Sequence, residues 1–193
     1  MPMSLVHHEQ RCSSSTAPWL ICLDLQREFV VPGRPHYDPS ADQVAGACAR
    51  VIDHARAARW RIVHSQRRRL GGLFCGETLF GAPIEGLRPL ISEPVFLRTG
   101  LSAFSSPEFA SRVEDARNCE VCLIGFSVAD SCLATAFSAI DAGLSLTVVE
   151  DAIGGDAPGA AAEVARSILG RLVRLISVPE FISEARGWVE YAS

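Results

Sequence analysis

Short apolar runs alternate with segments of helical character along most of this 193-residue chain. The first run, Trp19 to Leu23, ends at Asp24 and predicts a buried central strand. Further strands are predicted over residues 61–65, 95–97, 121–124, 146–149 and 172–176. Helices are predicted over residues 41–58, 107–116, 131–142, 158–169 and 179–191. This order favours an α/β fold, with a mostly parallel, doubly wound sheet flanked by helices on both faces in a Rossmann-like three-layer arrangement.

The size and composition of the chain fit one globular domain. Hydrophobic residues make up 48% of the sequence and charged residues 21%. We expect a single domain over residues 18–193, preceded by a loose polar arm over residues 1–17. The arm lacks the apolar stretch of a signal peptide, and no membrane segment is predicted. The formal net charge of -4 gives no general reason to expect a nucleic-acid partner.

The seven cysteines do not form a metal-binding pattern. Only Cys119 and Cys122 have the spacing of a CxxC pair, and they lie where a buried strand is predicted to begin. Their side chains should point to opposite faces of that strand, which argues against a zinc site. We therefore expect reduced thiols in a cytoplasmic protein, with no metal and no cofactor.

Polar side chains follow the predicted strands at their carboxyl ends. These are Asp24, Gln66, Arg98 and the turn from Gly125 to Cys132. In a parallel sheet with right-handed crossovers, these ends meet at one edge, where ligands bind in such folds. The sequence therefore predicts a small-molecule site at this edge.

The turn between the fourth predicted strand and the next helix carries two adjacent candidate nucleophiles, Ser131 and Cys132. A helix N-terminus stabilises negative charge, and its backbone N–H groups can hold an oxyanion. Cysteine is chemically the better nucleophile there, because the helix dipole favours the reactive thiolate. Which of the two side chains faces the site stays open at this point.

Asp24 and Arg98 are the other candidates for chemistry. A carboxylate at the end of an apolar strand suits general acid or base work, although it can also serve as a structural hydrogen-bond acceptor. Arg98 can stabilise a thiolate, a carboxylate or an oxyanion, or lie in solvent. The run Arg67 to Arg69 can receive an anionic substrate or form a solvated face, and the nearby His64 is expected to be structural. All 18 basic residues are arginine, so no mechanism that needs a lysine can operate.

Four segments in this order resemble those of the isochorismatase-like hydrolase superfamily, which includes nicotinamidases and N-carbamoylsarcosine amidase. Residues 23–29 are similar to the family segment D-x-Q-N-D/E-F, and residues 102–104 match its S-A-F. Residues 125–136 match the nucleophile turn, and residues 148–152 match a later V-V-x-D-A strand end. The resemblance covers nearly the whole chain after the arm.

The resemblance implies an Asp–Lys–Cys triad that hydrolyses small amides through an acyl-enzyme. Carried over without gaps, Asp24 falls on the aspartate, Arg98 on the lysine and Ser131 on the cysteine, while Cys132 follows the nucleophile position. A cis peptide bond is implied at Phe126–Ser127, with the N–H groups of Ser127 and Ser131 as oxyanion donors. Substrate contacts are expected from six side chains, namely Gln26, Phe29, Gln66, Arg67, Phe104 and Phe126.

Two of the three triad positions therefore depart from the family. An arginine keeps the charge but does not release a proton at neutral pH. A serine hydroxyl is a poorer nucleophile than a thiol unless a base activates it. The metal site of nicotinamidases is not expected either, because the equivalent stretch here reads His64-Ser-Gln-Arg-Arg-Arg69.

Three functional readings remain. The first is hydrolysis of a small amide or ureide-like C–N bond, with Asp24 as the base and Ser131 or Cys132 as the nucleophile. The second is ether hydrolysis of the isochorismatase type, without a nucleophile, in which Asp24 is an acid and Arg98 binds a substrate carboxylate. The third is a non-catalytic protein that binds a small molecule. We place the first ahead, and the resemblance implies a homo-oligomer, a dimer or a tetramer.

Overall fold

The sheet is described by a computed structural model that covers residues 17–68, 81–155 and 160–190, apart from the side chains of 160, 161 and 185–190. Six strands pair in the order β3-β2-β1-β4-β5-β6, and every pair is parallel. The strands are β1 Trp19–Leu23, β2 Arg61–Arg67, β3 Val95–Arg98, β4 Glu120–Phe126, β5 Ser145–Gly154 and β6 Arg174–Ile176. This arrangement confirms the predicted doubly wound α/β fold.

Helices cover both faces of this sheet. They are α1 Ala41–Ala57, α2 Pro107–Val113, α3 Leu133–Asp141, α4 Ala160–Leu172 and α5 Val178–Glu190. Short 3-10 turns span Ala103–Ser105 and Glu114–Ala116, and a π-helical turn spans Val128–Cys132. Buried residues of α1 and α5 pack on one face, and those of α2, α3 and α4 pack on the other. Cys119 and Cys122 belong to these two opposite layers, as their spacing predicts.

Several elements differ from their predicted bounds. Strand β2 runs on to Arg67, because Gln66 and Arg67 pair with Leu97 and Arg98 of β3. Strand β5 runs on to Gly154, because it regains its pairing with β4 beyond a register shift. The predicted helix over 131–142 begins with the π-helical turn, and α3 itself starts at Leu133. The predicted arm and most of the glycine-rich stretch over 71–86 lie outside the described residues.

Ser40 and Ser106 directly precede predicted helices, a position at which the sequence predicts a capping serine, but the two behave differently. The Ser106 hydroxyl accepts the Phe109 N–H and caps α2, which has a proline at its first turn. Ser40 precedes α1 but makes no side-chain cap, and instead its own N–H is bonded to the Asp38 carboxylate. The prediction of a Ser40 cap was therefore wrong.

The order of the strands creates one topological switch. The chain runs outward from β1 through β2 to β3, then crosses to the other side of β1 to form β4. Ligand sites in such sheets lie at the carboxyl ends of the strands that flank this switch. Asp24 follows β1 and the turn from Gly125 to Cys132 follows β4, so both lie at this point. None of the described helices is long and apolar enough to cross a membrane.

Candidate functional site

Asp24 is held at the end of β1 by an unusual backbone conformation. Its φ is +47°, in the left-handed region that aspartate tolerates better than most residues. Its N–H donates to the Ser65 carbonyl at 3.0 Å, and its Oδ1 accepts the Arg67 N–H at 2.9 Å. The carboxylate is therefore fixed against β2 and fully buried.

Ser131 reaches this carboxylate from the turn after β4. Its hydroxyl donates to Asp24 Oδ2, with an Oγ–Oδ2 distance of 2.6 Å. Strand β4 comes very close to β1 at Gly125, where a Cβ atom would lie 1.9 Å from the Leu23 carbonyl oxygen. Gly125 also has a φ of +123°, so only glycine fits there. The peptide bond Phe126–Ser127 is cis, at the position the resemblance implies.

Two arginines complete the arrangement. Arg98 Nη2 donates to Asp24 Oδ2 at 2.8 Å and to Ser131 Oγ at 3.0 Å. Arg67 Nη2 donates to Ser131 Oγ at 2.5 Å, and Arg67 Nε lies 3.8 Å from Asp24 Oδ2. Because Arg67 and Arg98 are register partners at the ends of β2 and β3, their backbones place both guanidinium groups beside one carboxylate. We call Asp24, Arg67, Arg98 and Ser131 the carboxyl-edge cluster.

The carboxyl-edge cluster contains more positive than negative charge. Two guanidinium groups face one carboxylate, and all four residues are buried, with Arg67 the most exposed at 3%. A further acid among the described residues, Asp130, has a side chain that is 45% exposed and lies 3.9 Å from Arg67. Asp24 Oδ2 accepts hydrogen bonds from Ser131 Oγ and Arg98 Nη2, so an acceptor oxygen lies where a base for this hydroxyl would stand.

The Cys132 side chain lies outside the carboxyl-edge cluster. Its side chain is fully buried in the core layer under α3, and its thiol contacts the Gly125 carbonyl at 3.8 Å. The other described cysteines, Cys22, Cys48, Cys119 and Cys122, are also buried. Burial raises the pKa of the Cys22, Cys48 and Cys122 thiols, which opposes formation of a thiolate. Of the two candidate nucleophiles, geometry therefore favours Ser131.

Gln26 binds backbone and not an open site. Its Nε2 donates to the carbonyls of Arg67 and Gly81, at 3.1 and 2.9 Å, and its Oε1 accepts the Arg67 N–H at 3.1 Å. The amide thus holds the end of β2 to the chain at Gly81 and fixes the backbone of Arg67. A substrate contact of Gln26 stays a prediction.

Three of the expected substrate contacts are aromatic rings that lie in packed layers. Phe29 and Phe126 are fully buried and stack with their ring centroids 5.0 Å apart. Phe104 packs edge-on against Phe109 at 5.3 Å, on the α2 face. All three rings therefore contribute to core packing, and their contacts with a substrate stay a prediction.

Gln66 and Ser127 are the remaining predicted site residues, and their positions differ. Gln66 alternates with Arg67 along β2, so its side chain leaves the sheet on the face opposite to Arg67. Ser127 is buried beside the cis bond, and its carbonyl accepts the Cys132 N–H at 2.9 Å. The role of the Ser127 and Ser131 N–H groups as oxyanion donors stays a prediction.

A second buried group, which we call the Glu93 cluster, consists of Arg56, His64 and Glu93. Glu93 accepts Arg56 Nε at 2.8 Å and Nη2 at 3.0 Å, and it also bonds His64 Nε2 at 3.1 Å and the Leu90 N–H at 2.9 Å. Burial opposes ionisation of Glu93, but these hydrogen bonds outweigh it and lower the carboxyl pKa to about 2. Burial also lowers the pKa of His64, so the neutral imidazole is favoured.

In the part of the chain that the structure describes, no metal-binding group forms, and an open cavity lies away from the carboxyl-edge cluster. Within residues 17–68, 81–155 and 160–190, no three His, Cys, Asp or Glu side chains gather to hold a metal ion. A cavity of about 340 Å³ opens at the other edge of the sheet, where Trp19 and Arg61 begin β1 and β2. No residue of the carboxyl-edge cluster lines this cavity.

Sequence reasoning missed that Arg67 contacts Ser131. The only signal was its place beyond an apolar strand, and the predicted end of β2 at Ser65 hid its pairing with Arg98. Side chains of Arg67 and Ser131 are 64 positions apart in the chain, so no local pattern joins them.

Comparison with known proteins relates this chain to one protein family. The model of the isochorismatase domain matches residues 18–179. A putative isochorismatase from Burkholderia xenovorans is 24% identical, with a TM-score of 0.78, and the match covers 90% of each chain. A putative isochorismatase-family hydrolase from Chromobacterium violaceum is 18% identical, with a TM-score of 0.79, over 91% of this chain and 96% of that one.

An amidase is among the similar structures. N-carbamoylsarcosine amidase from Thermoplasma acidophilum is 19% identical, with a TM-score of 0.73, over 84% of this chain and 97% of that one. A search among curated proteins finds no match. Because the model of the isochorismatase domain spans most of the sequence and the folds agree, this chain belongs to the isochorismatase domain family.

Proposed function

We propose that this protein hydrolyses a small amide or ureide-like C–N bond, with Ser131 as the nucleophile and Asp24 as the general base. The observation that carries the proposal is the hydrogen bond from Ser131 Oγ to Asp24 Oδ2 at 2.6 Å. A nucleophile bonded directly to a buried base is the arrangement that covalent hydrolysis requires.

The reaction proceeds in two halves. Asp24 takes the Ser131 proton while Oγ attacks the carbonyl carbon, and the protonated Asp24 then gives that proton to the departing nitrogen. This step breaks the C–N bond and leaves an ester on Ser131. A water molecule next loses a proton to Asp24 and attacks the ester, and Asp24 returns the proton to Ser131 as the acid product leaves.

The two arginines explain how a serine can serve here. Their Nη2 atoms donate to Ser131 Oγ and stabilise the negative charge that grows on this oxygen. A neutral hydroxyl has two lone pairs, and both are occupied by these bonds. Loss of the proton to Asp24 gives the oxygen a third lone pair, which is then available for attack. Arginine does not shuttle protons, so Asp24 carries out every transfer.

A second candidate is a protein that binds a small molecule without cleaving it. The observation in its favour is that the Ser131 hydroxyl makes three hydrogen bonds, which is the full capacity of a resting hydroxyl. Ether hydrolysis with Asp24 as an acid is less favoured, since both oxygens of this carboxylate accept hydrogen bonds from groups of the protein.

Three single variants test the proposed hydrolysis. The wild type, Ser131→Ala, Ser131→Cys and Cys132→Ala are assayed against a panel of small amides and ureides, with ammonia or amine release as the readout. We expect Ser131→Ala to lower kcat by about a thousandfold, in line with loss of a nucleophile or its base. Cys132→Ala is the matched control, because it removes the neighbouring buried thiol, and its kcat should stay within about threefold of the wild type.

Two results extend this test. In the wild type, mass spectrometry of a quenched reaction should find the acyl group on the peptide that contains Ser131, and Ser131→Cys should retain turnover through a thioester. Equal activity in the wild type and Ser131→Ala would overturn the nucleophile assignment. A complete lack of turnover over the panel, together with ligand binding, would favour the second candidate.

A further inference from the structure

We propose that the cavity at the amino ends of β1 and β2 is a second ligand site, which takes a small organic anion with a flat apolar body. We call it the amino-edge cavity, and its lining includes Trp19, Trp60, Arg61 and Arg112. The proposal does not depend on the hydrolysis proposed above, because no residue of the carboxyl-edge cluster lines this cavity.

The first argument is the size of the amino-edge cavity and the nature of its walls. Its volume of about 340 Å³ falls at the lower end of the range of about 300–1,000 Å³ that is typical of small-molecule sites. Apolar surface comes from both indoles and from Ile62, Leu90 and Pro94. A ring placed against these walls is stabilised, because apolar surface is removed from water.

The second argument is the positive charge held at the amino-edge cavity. Arg61 Cζ lies 5.4 Å and Arg112 Cζ 5.6 Å from the centre of the Trp19 ring, so two guanidinium groups gather over one buried indole. Among the described residues, Arg61 forms no ion pair, and Arg112 meets the Asp115 carboxylate at 3.5 Å. Water screens that pair, since its side chains are 50% and 59% exposed. Both guanidinium groups therefore attract an anion that enters the cavity.

The other charged groups in the lining oppose each other. Arg56 and Glu93 both line the amino-edge cavity, and they are joined by hydrogen bonds of 2.8 and 3.0 Å. Asp53 lies 3.9 Å from Arg56, but its side chain is 77% exposed and its charge is screened. The lining therefore carries a net positive charge from Arg61 and Arg112, although the chain has a formal net charge of -4.

The third argument is a pair of indole N–H groups that have no acceptor. Trp19 Nε1 and Trp60 Nε1 are buried, and neither has a hydrogen-bond partner in the part of the chain that the structure describes. Buried polar groups nearly always find a partner, and an indole nitrogen can only donate. Arg61 is exposed and Arg112 half-exposed, so both side chains can turn and let a ligand oxygen reach the indoles. An anionic oxygen is the strongest acceptor for such donors.

The test measures the binding of benzoate, benzyl alcohol and acetate to the wild-type protein by isothermal titration calorimetry. Benzyl alcohol keeps the ring and loses the charge, whereas acetate keeps the charge and loses the ring. None of the three contains a C–N bond, so the proposed hydrolysis cannot consume them. We expect benzoate to bind at least about tenfold more tightly than either of the others, which corresponds to about 1.4 kcal/mol.

NMR spectra show where benzoate binds. In proton–nitrogen correlation spectra of labelled protein, the indole N–H signals of Trp19 and Trp60 should shift with the same Kd that calorimetry gives. Trp60→Phe assigns one of the two signals and keeps an aromatic wall. Indole signals that stay in place while benzoate saturates the protein would overturn the proposal.

Variants of the two arginines assign the charge preference. Arg61→Gln and Arg112→Gln should each lower benzoate affinity by about three- to fivefold, and the double variant should bind benzoate within about twofold of benzyl alcohol. Arg171→Gln, at an exposed arginine of α4 that does not line the cavity, is the matched control and should bind like the wild type. Urea denaturation checks that each variant is folded.

The outcomes separate the amino-edge cavity from the carboxyl-edge cluster. Benzoate binding that depends on Arg61 and Arg112 and is unchanged in Ser131→Ala supports the second site, whether or not any amide is cleaved. Binding that is lost in Ser131→Ala and kept in the double arginine variant would place the anion at the carboxyl edge and overturn the proposal. Equal affinities for benzoate and benzyl alcohol in the wild type would overturn it as well.

Discussion

The Glu93 cluster and the carboxyl-edge cluster are built from similar residues. They differ in how many of their hydrogen-bonding groups have a partner. In the Glu93 cluster, one arginine meets one carboxylate, and both oxygens of Glu93 accept hydrogen bonds. In the carboxyl-edge cluster, two arginines meet one carboxylate, and two nitrogens of Arg98 have no acceptor. Both carboxylate oxygens of the first cluster are hydrogen-bonded within the protein, whereas the second cluster has two buried arginine nitrogens without an acceptor.

This difference separates a structural ion pair from a functional site. A balanced cluster has no need of a ligand, and its contribution is to hold α1 against the segment before β3. An unbalanced cluster is less stable by itself, which is a common property of sites that bind a charged ligand. The four predictions below are ordered by the size of the expected effect.

The largest effect is expected for Asp24→Asn in the carboxyl-edge cluster. It removes the proposed base and the charge of a carboxylate that contacts both buried arginines. Catalytic efficiency, kcat/KM, should fall by about a thousandfold or more, and the free energy of unfolding by about 3–5 kcal/mol. Steady-state kinetics and urea denaturation measure the two effects. Asp115→Asn, at an exposed acid of the same charge, is the control, and a folded Asp24→Asn with full activity would contradict the proposed role of the base.

Glu93→Gln should affect stability and leave chemistry largely intact. The variant leaves Arg56 without its charged partner but keeps an acceptor oxygen in the same place. We expect a loss of about 2–4 kcal/mol in the free energy of unfolding and a change in kcat/KM of no more than about threefold. Urea denaturation and kinetics on the same preparation provide the comparison. A large loss of activity without a loss of stability would show that the Glu93 cluster is not merely structural.

The Glu93 cluster should also dominate the acid sensitivity of folding. The folded protein lowers the Glu93 pKa to about 2, so its stabilising effect is present above the ordinary pKa of 4.5 and is lost as the pH falls toward 2. His64, whose pKa is also lowered, acts in the same direction below its ordinary value of 6.5. Stability should fall by about 2 kcal/mol between pH 6 and pH 3 through these groups. Glu93→Gln should flatten this profile in urea denaturation at several pH values, and an identical profile in the variant would refute the assignment.

The smallest effect is expected for Gln26→Ala, which loosens the support of one cluster and not the other. The variant removes donors to the carbonyls of Arg67 and Gly81, whereas Asp24 Oδ1 still accepts the Arg67 N–H. We expect a loss of about 1–2 kcal/mol in stability and a fall of about tenfold in kcat with less change in KM. Gln43→Ala, at an exposed glutamine of α1, is the matched control. Unchanged kcat in a folded Gln26→Ala would show that the brace does not position Arg67.

Much of the fold could be predicted from local patterns. The bounds of β1 were predicted correctly from its apolar run. Residues Trp19 to Leu23 are all buried, with Pro18 before them and Asp24 after them. The ends of β2 and β5 could not be placed, since Gln66, Arg67 and Asp151 look like loop residues. They lie in strands because neighbouring strands offer hydrogen-bond partners, and pairing of this kind overrides local propensity.

The candidate site was predictable in part for a similar reason. Asp24, Arg98 and Ser131 follow strand ends, and parallel strands carry their ends to one edge, so their meeting follows from topology. The packing of Phe29, Phe104 and Phe126 against other rings could not be read from their positions in the sequence, and their substrate contacts stay a prediction. Cys132 was a reasonable nucleophile by chemistry alone, and the direction of the π-helical turn placed its thiol in the core.

The sequence alone determined the order of strands and helices, the family and the edge at which polar residues gather. These properties depend on periodicity, turn residues and spacing, which act over short stretches of chain. Only the tertiary structure decided that Ser131 and not Cys132 reaches Asp24, and that Arg67 joins Arg98 beside it. Charge balance and hydrogen-bond saturation are properties of groups brought together from β1, β2, β3 and the turn after β4. They exist only once the strands have paired, which is why the unsatisfied arginine could not be read from the sequence.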